Sequence, residues 1–200
     1  MDISSFYLFI YTCRDLYKKW EGKKLPKILE NSPGGTFESI IDMFNSYEAV
    51  RKAIKDAGLN KCSLIFGIDY TNSNKFQGQK TFNGKSLHEL EPSQMNPYQQ
   101  VITYLGETLE EFDEDGIIPA FGFGDRETKD KSVFPIKEPD GCCDGFNGVL
   151  EAYEEITPGI KLSGPTNFAP LIMKAIEIVS ATRKVCSRNI SLTISFSDLR

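Results

Sequence analysis

The chain has 200 residues, a net charge of −5, 40% hydrophobic residues and 26% charged residues. That is globular composition with length for one domain and a short appendage, so a disordered tail and a fibre are both excluded. Lys and Arg are scattered through an acidic chain, and no basic stripe with interleaved aromatics runs along it, which argues against nucleic acid as the main partner.

Residues 1–40 read as an N-terminal extension and 41–200 as the domain. The extension carries an apolar run, Phe6-Tyr7-Leu8-Phe9-Ile10-Tyr11, a basic patch (Lys18, Lys19, Lys23, Lys24) and a Ser-Pro-Gly-Gly turn at 32–35. The run is far short of the roughly 20 residues that a spanning helix needs, so no transmembrane segment is predicted. A secretory signal would place basic residues ahead of it, where Asp2 is the only charge. Cys13, Cys62, Cys142, Cys143 and Cys186 form no C-x-x-C pair and stand apart from the single histidine, His88. Such a pattern predicts reduced thiols inside a cell rather than a zinc site or a RING module.

Ser46 can cap a helix carrying Val50, Ile54 and Ala57, closed by Gly58. Cys62-Ser63-Leu64-Ile65-Phe66-Gly67-Ile68 has no polar alternation after Ser63 and reads as a strand buried on both faces, central in a parallel sheet. Residues 69–97 are rich in Asn, Gly and Ser and read as a long loop, with His88 as a solvated member of it. Asn96 caps and Pro97 opens a helix over 97–113, with Val101, Leu105, Leu109 and Phe112 on one face. A second buried strand is predicted at 117–124, and 125–145 reads as loop with a short extended piece at Val133-Phe134. Further helices are predicted around Phe146, Val149, Leu150 and Tyr153, and over 167–182. An alternating strand pattern covers 190–196. Strands interleaved with helices predict an α/β fold with a doubly wound, mainly parallel sheet and helices on both faces.

In such a sheet, ligands bind beyond the carboxyl ends of the strands. Asp69-Tyr70-Thr71-Asn72-Ser73 lies there, after the most buried strand. Alternate residues of an extended turn face one side, so Asp69, Thr71 and Ser73 can aim three oxygens at one spot. One carboxylate and two hydroxyls suit a hard cation that keeps some water, Mg²⁺ or Mn²⁺. The same residue types also make ordinary turns and helix caps, and spacing alone does not choose between the two. Ser163-Gly164-Pro165-Thr166 leads into the last helix, where Thr166 would add a hydroxyl. Cys142-Cys143 is flanked by acids and should have no lowered thiol pKa.

Several ordered strings resemble the copine-type von Willebrand A domain. They are Phe66-Gly67-Ile68-Asp69-Tyr70-Thr71-Asn72-Ser73-Asn74, Phe82-Asn83-Gly84-Lys85-Ser86-Leu87-His88, and Asn96-Pro97-Tyr98-Gln99-Gln100-Val101-Ile102. Phe112-Asp113-Glu114-Asp115, Ile118-Pro119-Ala120-Phe121-Gly122-Phe123-Gly124-Asp125 and Leu162-Ser163-Gly164-Pro165-Thr166-Asn167-Phe168-Ala169-Pro170 complete the set, within residues 44–179. Phe44-Asn45-Ser46-Tyr47-Glu48-Ala49-Val50 and Gly67-Ile68-Asp69 are most similar to the copine-like RING-type E3 ubiquitin ligases. The resemblance implies a Rossmann-like von Willebrand A fold with a metal-ion-dependent adhesion site of pattern D-x-[ST]-x-S. It implies that Thr71 and Ser73 ligate the ion directly, Asp69 directly or through water, and Thr166 in at least one conformation. Asp198 is the candidate for the family's last Asp, although Leu199 stands where the family has Gly. Asp125 receives no ligand role. The implied cofactor is Mg²⁺ or Mn²⁺, with Ca²⁺ as a further option.

The function so implied is a cation-dependent protein-binding module that captures an acidic group of a partner in intracellular signalling or ubiquitination. The expected setting is the cytoplasm, with the nucleus or a membrane surface as further settings. An alternative is a fragment of a RING-type E3 ubiquitin-protein ligase whose RING lies outside these residues. The family continues past the position of Arg200, so the sheet is expected to be incomplete at its C-terminal edge. A metal-dependent phosphohydrolase is a weaker reading, because those enzymes have D-x-D and Thr71 stands where the second Asp, the acid/base, would be.

Overall fold

The computed structural model describes residues 46–56, 63–183 and 191–196. In chain order its elements are α1 (Tyr47–Asp56), β1 (Ser63–Asp69), α2 (Ser73–Thr81), α3 (Pro97–Leu109), β2 (Ile117–Phe123), β3 (Val133–Pro135), β4 (Cys142–Asp144), α4 (Gly145–Ile156), α5 (Ala169–Arg183) and β5 (Ser191–Phe196). Short 3-10 turns follow α3 (Glu110–Phe112) and α4 (Thr157–Gly159). The extension over 1–40, Ala57, Gly58 and Asp198 lie outside the described residues, as do the side chains of Val50 and Ile54.

Local chemistry starts the helices where the sequence suggests. Ser46 Oγ accepts the Ala49 N–H at 3.2 Å, which caps α1. Asn96 and Gln99 form a reciprocal capping box at α3, with bonds of 2.9 and 2.7 Å, and Pro97 occupies the first turn, where no N–H is needed.

β1 is the centre of the sheet. β2 and β5 flank it, both parallel, with Phe66 opposite Ala120 on one side and Ile194 on the other. A strand with a parallel neighbour on each side and helices over both faces has no wet face, which explains its unbroken apolar run. β3 and β4 are three-residue strands that pair antiparallel with β2. Alternation along β1 divides the core into two layers. Leu64, Phe66, Ile68 and Tyr70 pack with Val101, Ile102 and Leu105 of α3 and Phe146, Val149 and Tyr153 of α4. Ile65 faces the other way, with Phe121 and Phe123 of β2 and Leu171 and Ala175 of α5. The sheet is therefore doubly wound, as the element order predicts. Each of these large apolar side chains contributes about 1.5–3 kcal/mol by leaving water. Among the described residues no helix is long and apolar enough to cross a membrane.

Two elements depart from the sequence reading. Residues 69–97 are not all loop, because α2 lies within them. Only Asn74 and Gly78 of α2 are buried and Phe76 is 60% exposed, so the helix has no apolar stripe to reveal it. It rests on the chain directly: a Cβ on Gly78 would overlap the main chain of residues 85–87. β4 falls within the stretch that reads as loop, since three residues are too few to show alternation.

The approach of α5 to β1 is set by Gly67, where a Cβ would overlap the Leu171 side chain. Gly67→Val should therefore overpack the layer and cost about 1–3 kcal/mol, and Leu171→Ala alone about 2–5 kcal/mol. Equilibrium urea unfolding of the double variant should show it at least about 1 kcal/mol more stable than the sum of the single losses. Strict additivity would refute this packing account.

Candidate functional site

Three segments meet at the carboxyl ends of β1 and β2. Residues 161–163 run between the two strand ends as a short extra piece of ladder. Ser163 N–H donates to the Tyr70 carbonyl at 3.2 Å, and the Ser163 carbonyl accepts the Asn72 N–H at 2.7 Å. Arg126 N–H donates to the Lys161 carbonyl at 2.9 Å, with an antiparallel bridge between Asp125 and Leu162. This pairing carries Thr166 to the tip of β1.

The side chains then converge. Thr71 Oγ1 lies 2.7 Å from Ser73 Oγ and accepts a hydrogen bond from Thr166 Oγ1 at 3.1 Å. The Thr71 N–H donates to Asp69 Oδ1 at 2.8 Å, which folds the turn so that both side chains face the same region. Asp69, Thr71, Ser73 and Thr166 are thus together, and the hydroxyls of two loops separated by 95 residues touch. Asp69 and Thr71 are buried, Ser73 is half-buried and Thr166 is exposed, so the cluster opens to solvent on its Thr166 side. Gly124, at φ +80°, forms the adjoining wall: a Cβ there would overlap the Thr71 methyl and stand 3.5 Å from Asp69 Oδ1.

Asp125 adjoins the cluster, but its carboxylate is engaged in its own turn. Oδ1 accepts the Thr128 N–H at 2.9 Å and the Thr128 hydroxyl, and Oδ2 accepts the Glu127 N–H at 3.2 Å. Among the described residues, no three or more His, Cys, Asp or Glu side chains form a metal-binding group. The cluster's donors are instead three neutral hydroxyls and one carboxylate, all hard oxygens, which fit a hard divalent cation that retains water. Burial raises both the Cys142 and the Cys143 thiol, Cys143 to about 11, so neither has the lowered pKa of an activated thiol.

His88 overturns its expectation as a solvated residue. It is only 6% exposed, and its ring stacks on Tyr98 at 4.0 Å and on Tyr70 at 4.7 Å between centroids. Its Nε2 is 2.8 Å from the Asp69 carbonyl, which can only accept, so Nε2 carries the proton. Nδ1 then accepts from the Tyr153 hydroxyl at 3.0 Å, and that oxygen accepts from Asn96 Nδ2 at 3.0 Å. Burial pushes the His88 imidazole down to about 4, and the hydrogen bond to Asp69 offsets this only in part. Asn74 joins the same carbonyl: its Nδ2 donates to Asp69 O at 2.7 Å and to Thr71 O at 3.1 Å, while Tyr98 donates to its Oδ1 at 2.8 Å. Sequence reasoning missed this buried group because its members come from a loop and three helices with no shared spacing. The only clue was that polar residues, Asn96 and Gln99, open the α3 helix beside apolar ones.

The copine family model matches residues 86–196, more than half of the chain. The chain is 54% identical over 141 residues to Copine family protein 2 of Caenorhabditis elegans, which covers 69% of this chain and 2% of that protein. It is 43% identical over 169 residues to Copine family protein 1 of the same organism, 84% of this chain and 15% of that protein. It is 49% identical over 143 residues to the E3 ubiquitin-protein ligase RGLG2 of Arabidopsis thaliana, 72% of this chain and 30% of that protein. The chain therefore spans less than a third of the length of each of these relatives.

The buried imidazole links stability to pH. His88 is neutral when folded, and its folded pKa of about 4 lies below the ordinary 6.5. Its contribution is fully present above the unfolded pKa and is lost as pH falls from about 6.5 to about 4, in total about 3 kcal/mol. Urea unfolding across this range should show a steeper decline in the native chain than in His88→Gln. Parallel curves would rule the linkage out.

Proposed function

The chain belongs to the copine family, and from that premise we propose that it is a divalent-cation-dependent protein-binding module. The supporting observation is the meeting of the Thr71, Ser73 and Thr166 hydroxyls beside the Asp69 carboxylate. In this reading Thr71 and Ser73 hold Mg²⁺ or Mn²⁺ directly, with Ca²⁺ as a further occupant. Thr166 joins them, and Asp69 binds directly or through water. Asp198 is the remaining candidate ligand. Neutral hydroxyls leave most of the ion's charge uncompensated, so the ion would supply an electrophilic position for an acidic side chain of a partner protein. The protein's own residues orient and desolvate that position; none of them needs to move a proton.

Two relatives are named copine family proteins and a third is named an E3 ubiquitin-protein ligase. The same module would serve a ligase as its partner-recognising part, the RING being supplied from outside these 200 residues. In this reading the action is intracellular, in a ubiquitination-related or signalling setting. A phosphohydrolase is disfavoured, because Thr71 occupies the position where its acid/base would stand.

Cation binding confined to the native state stabilises it. At about 100 times its Kd, Mg²⁺ or Mn²⁺ should add about 2.7 kcal/mol, an increase in Tm of roughly 5–10 °C for a chain of this length. Asp69→Ala and Thr71→Val should abolish the increase. Capture of an acidic peptide should disappear in EDTA and return with Mg²⁺. Capture that persists unchanged in EDTA would sink the proposal.

A further inference from the structure

Beneath the hydroxyl cluster the core changes character. Elsewhere α3 and α4 meet the sheet through Val101, Ile102, Leu105, Phe146 and Val149. At the tip of β1 the filling is polar instead: Asn74, His88, Asn96, Tyr98 and Tyr153 are all buried. Buried polar groups cost stability unless each finds a partner, and apolar side chains would fill the same volume at less risk. The bonds these groups make are therefore informative. They converge on two main-chain carbonyls, those of Asp69 and Thr71. The Asp69 carbonyl takes the Asn74 amide at 2.7 Å and the His88 Nε2–H at 2.8 Å, which fill its two lone pairs. Tyr98 has one proton and the choice of Asn74 Oδ1 at 2.8 Å or Asp69 O at 3.1 Å, and the shorter bond orients the Asn74 amide. The second Asn74 N–H reaches Thr71 O at 3.1 Å. Tyr153 and Asn96 complete the set by fixing which His88 nitrogen carries the proton.

We propose that Asn74 and His88 are positioning residues, which hold the peptide units of Asp69 and Thr71 so that their side-chain oxygens face one point before any cation arrives. This inference rests on the cation-binding reading and adds to it a set of residues that touch neither ion nor partner. Neither side chain points an oxygen or nitrogen at the hydroxyl cluster; both act through main-chain carbonyls. Groups that orient metal ligands in this way typically govern affinity by roughly 10–100-fold.

The test is a Mn²⁺ titration of the full 200-residue chain, followed by loss of the free-ion EPR signal. Asn74→Ala and His88→Leu should weaken Mn²⁺ binding by roughly 10–100-fold. His88→Gln, whose amide can place an N–H near the position of Nε2–H, should stay within about threefold of the native chain. Val149→Ala serves as the stability control, since it removes core packing while leaving every hydrogen bond of the polar group in place, and it should leave Mn²⁺ affinity unchanged. If Val149→Ala weakens binding as much as His88→Leu does, or if Asn74→Ala and His88→Leu bind as the native chain does, the positioning role is refuted while the cation reading stands. A native chain that takes no Mn²⁺ removes both.

Discussion

Everything at the functional end of this protein depends on one short piece of main-chain pairing. Ser163 donates to Tyr70 and accepts from Asn72, and Lys161 accepts from Arg126, so residues 161–163 bridge the ends of β1 and β2. Without that bridge Thr166 would be the exposed start of a distant helix, and Thr71 and Ser73 would be an ordinary turn after a strand. With it, two loops with no local reason to meet share a cluster of hydroxyls. The pairing works because β1 and β2 are parallel neighbours whose ends sit at the same level, with Asp69 opposite Phe123.

The strand that ends at this bridge answers to two demands. Through Phe66, Ile68 and their neighbours β1 is buried along nearly its whole length. At Asp69 the same strand must present a carboxylate to a loop that opens to water. The transition is managed by a polar plug rather than by a gradual loss of burial. Stacked His88, Tyr98 and Tyr70 rings supply apolar surface to the core side, while His88 Nε2 donates to the Asp69 carbonyl and the Tyr98 hydroxyl to the Asn74 amide oxygen. Aromatic side chains with polar tips suit such a boundary, since one residue serves both environments.

Membership of the copine family accounts for the scaffold, and the hydroxyl cluster sits on its loops. Loops on a rigid sheet are where binding chemistry varies while the core stays the same. The relatives this chain matches are much longer proteins, and the chain spans less than a third of those described above. The hydroxyl cluster itself is assembled from loop segments levelled by one sheet.

By itself the sequence determined the layered α/β fold, because uninterrupted apolar runs and 3.6-residue periodicity are local records of burial. It also determined the helix starts at Ser46 and Asn96, which are settled by bonds three residues away. Asp69, Thr71 and Ser73 were legible as one group from their spacing, and Thr166 was joined to them only through family likeness. Tertiary structure alone decided three things. It placed a helix over Ser73–Thr81, whose burial is against main chain and leaves no apolar stripe. It turned His88 inward, because the rings that enclose it come from β1's end, α3 and α4. It also brought Thr166 onto Thr71 across 95 residues, since a contact of that span is set by strand register and by no property of either neighbourhood.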